Sequence, residues 1–144
     1  MVHFKEKARY DYDDLLEIIR VLRSPEGCPW DQVQTHQSIR RGLLEEAYEA
    51  AEGIDRDDAD LLREELGDVL FAAVKVARFA GIDPEQAAHA ACEKFIRRFA
   101  AMEAAAADSG VPLEQRTLAQ MQPLWQQAKQ TVSADNEGKK SARQ

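Results

Sequence analysis

The apolar positions of this chain recur at helical rather than strand spacing along most of its length. Over residues 13–23, Leu15, Ile18, Ile19 and Leu22 fall on one helical face, with Asp11 or Asp13 placed to cap it. The stretch SPEGCPWD (24–31) holds two prolines and a glycine within six residues and predicts a loop. A second helix is predicted over 38–54, where Leu44, Ala47, Tyr48, Ala51 and Ile54 recur at intervals of three and four. GIDRDD forms a turn, and a third helix over 59–80 carries the clearest pattern: Leu62, Leu66, Val69, Ala73, Val76 and Ala80, closed by Gly81. Asp83-Pro84-Glu85-Gln86 reads as an N-cap, a proline at the first helical position and a glutamine at the third, which starts a fourth helix running to 107. Gly110-Val111-Pro112 breaks it. A short fifth helix over 117–131 carries Met121, Leu124, Trp125 and Ala128. From 132 the chain turns polar, and an unstructured tail is expected over 132–144.

Composition strengthens the helical reading. The 144 residues include 23 Ala but only 17 β-branched residues, with Gly and Pro together contributing 12. The expectation is an all-α protein with a single domain over 1–131. No repeat is visible. The net charge of −7 argues against binding duplex nucleic acid, which needs a basic face. No run approaches the length of a membrane span. The opening MVHFKEKARYDYDD lacks the apolar core of a signal peptide. Two cysteines, Cys28 and Cys92, do not make a disulfide framework, so a reducing cytoplasm is the expected compartment. Both are read as small buried residues without chemistry.

Two acidic clusters change the picture. The second helix carries Glu45, Glu46 and Glu49, and the third carries Glu64, Glu65 and Asp68. Residues three apart share a helical face, so Glu46 pairs with Glu49 and Glu65 with Asp68. A short turn joins the helices, and both clusters fall at a similar distance from it, so the pairs can face each other. A solvated acidic face is the plain alternative. Against it, Glu65 has Leu61, Leu62 and Val69 as helical neighbours, and Asp68 has Phe71 and Ala72. A carboxylate on so apolar a helix needs a cation or takes up a proton. An all-carboxylate set suits a hard cation such as Mg²⁺ or Mn²⁺. A di-iron bundle would want Glu-x-x-His, but Val33 precedes His36 by three and Gln86 precedes His89 by three. Mg²⁺ commonly meets phosphate oxygens, which makes a phosphate substrate the natural expectation.

The run EEAYE, fifteen residues, then ELGD resembles the EExxE…ExxD signature of the MazG-type all-α nucleoside triphosphate pyrophosphohydrolases. LRSPEGCPWDQVQTH, EKFIRRF and PLWQQAKQ are similar to further family segments in the same order, so the resemblance spans about residues 15–130. It implies cleavage between the α- and β-phosphates, giving a nucleoside monophosphate and pyrophosphate. Glu46, Glu49, Glu65 and Asp68 would bind Mg²⁺, and Glu45 would orient or deprotonate water. Lys94 and Arg98 match phosphate-contacting positions, and Trp125 and Lys129 match positions near the nucleotide. The resemblance also implies a fold of the four-helix-bundle type with antiparallel helices, in a homodimer or a dimer of dimers, with the bundle completed across subunits. Some members carry a basic residue one turn before the second acidic motif, where this chain has Leu61. The alternatives are a narrower pyrophosphatase for dUTP, dCTP or phosphoribosyl-ATP, and a non-catalytic nucleotide-sensing assembly protein.

Other residues keep two readings. Lys94 and Arg98, one turn apart, can hold phosphates or simply solubilise the helix. Trp30 can stack on a base or pin its loop to the core. His36 can donate to a phosphate or sugar, or serve the helix start. Trp125 reads first as a packing residue.

Overall fold

The computed structural model describes Val2 and residues 4–141, with side chains described as far as Ser133. The described residues form helices α1 (Tyr12–Leu22), α2 (Pro29–Gln32), α3 (His36–Asp55), α4 (Ala59–Phe79), α5 (Pro84–Asp108) and α6 (Leu118–Ser141), with a single 3₁₀ turn at Leu113–Gln115. There is no strand among them, so the all-α expectation holds. No described helix is long and apolar enough to cross a membrane.

Two compact units divide the chain, Met1–Pro84 and Glu85–Gln144. In the first, α1 and α3 both pack on α4. Local chemistry sets each boundary. Asp11 and Asp14 form a reciprocal capping box at α1, and Thr35 and Ser38 form another at α3. The Asp58 side chain accepts from the backbone N–H groups of Asp60 and Leu61, capping α4. α3 ends in a Schellman motif: Asp58 N–H donates to the Gly53 carbonyl and Asp57 N–H to the Ile54 carbonyl. Asp57 takes the left-handed conformation this requires, φ 53°, which aspartate tolerates better than most residues. Gly81, φ 69°, closes α4 in the same way, with Ile82 N–H on the Ala77 carbonyl. Only three residues separate α3 from α4, so the two helices run antiparallel.

Ile19, Ile39, Ala50 and Val74 are buried in this unit. The apolar rows of α3 and α4 are only partly covered. Leu44, Tyr48 and Ile54 of α3 are exposed, as are Leu66 and Leu70 of α4. The helical spacing marked Leu44, Tyr48, Ile54 and Leu66 as apolar-face positions, Leu70 was not among them, and all five stay exposed among the described residues.

In the second unit, α5 and α6 bury Met102, Ala106, Ala128 and Val132. Phe95 stacks on Phe99, with ring centroids 6.1 Å apart, and meets Trp125 at 5.7 Å. Arg116 ties the connection down by donating to the Val111 carbonyl at 3.0 Å and to the Ser109 hydroxyl.

Three details differ from the sequence expectation. The 24–31 loop contains α2: Pro29, whose missing N–H is no loss at a helix start, begins a single turn instead of preventing one. α6 continues to Ser141 instead of ending near 131, so the expected tail begins inside a helix, and 142–144 lie outside the described residues. Cys28 is half-buried and Cys92 exposed, not both buried.

Candidate metal centre

α3 carries Glu45, Glu46 and Glu49 past the point where α4 carries Glu65 and Asp68. Close approach of the backbones makes this possible. A Cβ added to Gly53 would lie 3.0 Å from both Cα and N of Leu62. Glu49 is one turn from Gly53, and Glu65 is three residues from Leu62, so the contact draws the acidic turns together.

Glu46, Glu49 and Glu65 each present a carboxylate oxygen, all within 4.8 Å of one another. Asp68 stands close enough for its charge to act on both Glu46 and Glu65. Burial raises the Glu46 carboxyl above the ordinary glutamate range, and the charges of Asp68, Glu49 and Glu45 add to the rise. Glu65 is raised too, first by burial, then by Glu49, Glu64, Asp68 and Glu46. Glu65 Oε2 is buried and has no hydrogen-bond partner among the described residues. None of these four acids takes part in an ion pair there, although Glu45 pairs with Arg41 at 3.4 Å. Converging oxygens, one of them buried without a partner, fit a hard divalent cation. Such a cation would be held by Glu46, Glu49 and Glu65, with Asp68 beside them.

An open cleft of about 370 Å³ runs from these acids between α3 and α4. Glu45, Glu46 and Asp68 line one end. Gly42 and Phe71 lie about one turn further along their helices, Ser38 and Lys75 about two turns, and Trp30 lines the cleft next to Asp31, whose carboxylate meets Lys75. Trp30 stays 71 % exposed while lining the cleft. Other residues pin its loop: Arg23 donates to the Asp31 carbonyl at 3.0 Å, Gln32 to the Ser24 carbonyl at 2.8 Å and Gln34 to the Trp30 carbonyl at 3.1 Å. At Gly27, a Cβ would fall 2.3 Å from the Leu22 carbonyl oxygen, so no other residue lets the chain turn there. His36 lies at the start of α3 with its ring edge-on to Phe79, centroids 5.0 Å apart, and is not part of the cleft wall.

In the second unit, Lys94 is exposed and Arg98 half-buried, with its Nε buried and without a hydrogen bond among the described residues. Trp125 and Lys129 line an apolar groove with Phe95, Phe99 and Met102. The sequence reading missed Lys75, Asp31 and Arg41. Lys75 was visible in principle: it lies two turns beyond Asp68, on the same face of α4.

Residues 34–101 match the family model for the MazG nucleotide pyrophosphohydrolase domain. A solved structure, that of a mazG-related protein from Thermotoga maritima, superposes with a TM-score of 0.58 at 31% sequence identity, over 82% of this chain and 98% of that one. The chain belongs to the MazG family. Among curated MazG relatives, the nucleoside triphosphate pyrophosphohydrolase/pyrophosphatase MazG of Thermotoga maritima is 45% identical over 91 residues, 60% of this chain and 36% of that protein. The nucleoside triphosphate pyrophosphohydrolase of Escherichia coli is 52% identical over 69 residues, 47% of this chain and 26% of that protein. This MazG chain thus spans roughly a third or less of the length of those relatives, and the matched MazG segment contains both acidic motifs.

Proposed function

We propose that this chain hydrolyses nucleoside triphosphates to a nucleoside monophosphate and pyrophosphate, in sanitation or regulation of the nucleotide pool. Mg²⁺, or Mn²⁺ in its place, would be held by Glu46, Glu49, Glu65 and Asp68. The observation that carries the reading is the convergence of the Glu46, Glu49 and Glu65 oxygens within 4.8 Å, with no described cation paired to them. The names of the Thermotoga and Escherichia relatives support the same reaction.

Bound at these acids, Mg²⁺ supplies the charge that neutralises a polyphosphate and the acidity that activates water. The chain's own residues do the rest. Glu45 lies at the cleft wall beside Glu46, where it orients water or accepts its proton. Water adds to the α-phosphorus, the bond to the bridging oxygen breaks, and pyrophosphate leaves. By their match to family positions, Lys94 and Arg98 would contact the phosphates, and Trp125 and Lys129 the nucleotide. Trp30 offers an exposed aromatic face for the base. A second copy of the chain would cover Leu44, Tyr48, Leu66 and Leu70, which supports a homodimer or a dimer of dimers with a bundle completed between subunits.

A pyrophosphate-release assay over a panel of nucleotides, with Mg²⁺ and with excess EDTA, tests the reading. Release with Mg²⁺ and none with EDTA is expected. Full turnover in chelator, or no release from any nucleotide, overturns it.

A further inference from the structure

Lys75 sits where no charge is required by the fold. It lies in the apolar run VLFAAVKVARF of α4, yet its side chain is only 25% exposed. Its counter-ion is Asp31, the one buried charged residue of the described core, at 5% exposure. Asp31 Oδ1 is buried, makes no hydrogen bond of regular geometry and has the Lys75 ammonium 2.9 Å away. An ammonium carries three donors, and among the described residues Lys75 commits none of them to a regular hydrogen bond. Asp31 thus holds the ammonium by charge, and Lys75 lines the cleft with donors that no other described group takes up.

The position along the cleft says what those donors meet. Lys75 is seven residues beyond Asp68, about 10 Å along the helix axis. The antiparallel α3 repeats the order, from Glu46 back through Gly42 to Ser38. Gly42 leaves the middle open: a Cβ there would meet nothing within 4 Å. With its phosphates at the acids, a nucleotide laid along the cleft would bring its sugar toward Gly42 and its base toward Trp30 and Lys75. A stacking face holds any base and does not discriminate among them. A fixed ammonium does discriminate, because it donates to a carbonyl oxygen and repels an amino group.

We propose that Lys75, held by Asp31, is a specificity-determining residue that selects bases with a carbonyl oxygen, not an amino group, on the edge farthest from the sugar: 6-oxopurines over adenine, and uracil over cytosine. The proposal rests on the acid end of the cleft being the phosphate end.

Inosine and adenosine triphosphates test it, because the bases differ only at the 6-position edge. The ratio of kcat/KM for ITP over ATP is measured for the wild type, Lys75→Met and Lys75→Arg, alongside the affinity of the α,β-methylene analogues of both nucleotides. The wild type is expected to favour the inosine form by roughly tenfold or more, the range of a single polar contact in a partly open site. Lys75→Met is expected to bring the ratio near one, and Lys75→Arg to restore much of it. Lys75→Met leaves Asp31 buried without a counter-ion, so Asp31→Leu/Lys75→Met serves if the single variant does not fold. The analogue affinities decide the case even if no nucleotide is hydrolysed, which separates failure of this proposal from failure of the pyrophosphohydrolase reading. A wild-type ratio near one in both turnover and binding, or a preference unchanged in Lys75→Met, overturns the proposal.

Discussion

Gly53 of α3 lies against the backbone of Leu62 in α4, so closely that a Cβ would reach Leu62 Cα and N at 3.0 Å. A glycine inside a helix costs about 1 kcal/mol relative to alanine, so propensity alone would favour its replacement. The close approach explains why it stays, and the approach sets the spacing of the carboxylates one turn away. Gly53→Leu is expected to lower the melting temperature and weaken Mn²⁺ binding in a calorimetric titration. Gly67→Ala, where a Cβ meets nothing within 4 Å, is expected to raise the melting temperature slightly, by about 0.5–1 kcal/mol of stability.

Glu49→Gln and Asp68→Asn are each expected to reduce pyrophosphate release by about a hundredfold or more, in the range seen when a preorganised charge is removed from a transition state. Both variants keep the fold, and the melting temperature of the metal-free protein stays level or rises, because each removes a like charge from the cluster. Steady-state kinetics and thermal unfolding with and without Mg²⁺ check the pair. Near-wild-type turnover in either variant would reduce these acids to surface charge.

The raised carboxyls of Glu46 and Glu65 give a pH signature with a definite sign. A group whose folded pKa exceeds its unfolded one binds more protons when folded, so its stabilising contribution is complete below the unfolded value. It is lost as pH rises through the folded one. Asp14, lowered by its bond to Lys7, and Glu17, lowered by Arg20, act in the opposite sense. A difference measurement removes them. The melting temperature of metal-free Glu46→Gln/Glu65→Gln, minus that of wild type, is expected to grow as pH rises from the ordinary glutamate value of 4.5 upward. Mn²⁺ affinity of the wild type is expected to rise over the same window, because the ion displaces protons.

Much of this architecture was legible in the sequence because local rules fix it. The α4 pattern, bounded by Asp58 and Gly81, placed that helix to within a residue, and the three-residue spacing of Glu46/Glu49 and Glu65/Asp68 put each pair on one face. What was hidden depends on tertiary context. The single turn of α2 lies among residues whose composition reads as loop. Asp31 and Lys75 are 44 positions apart, and no local pattern joins the aspartate of α2 to a lysine in an apolar helix. The apolar row of Leu44, Tyr48 and Ile54 was visible as a face, but periodicity does not say whether the chain itself or another copy covers it.

Lys94→Ala and Arg98→Ala are each expected to weaken catalysis by roughly ten- to a thousandfold, about 1.4–4 kcal/mol for a charged transition-state contact. Arg97→Ala, about 100° around α5 from Arg98, is expected to do much less. Values of kcat/KM for the three variants check the contrast. Equal small effects would remove α5 as a phosphate clamp and turn attention to Lys129.

Hydrolysis of a nucleoside triphosphate in ¹⁸O-water with Mg²⁺, followed by mass spectrometry of the products, tests the central claim most directly. The paired acids of α3 and α4 are read as directing water to the α-phosphorus. The label is therefore expected in the nucleoside monophosphate, with unlabelled pyrophosphate as the other product. Label in pyrophosphate alone, or release of orthophosphate and a diphosphate, would contradict it.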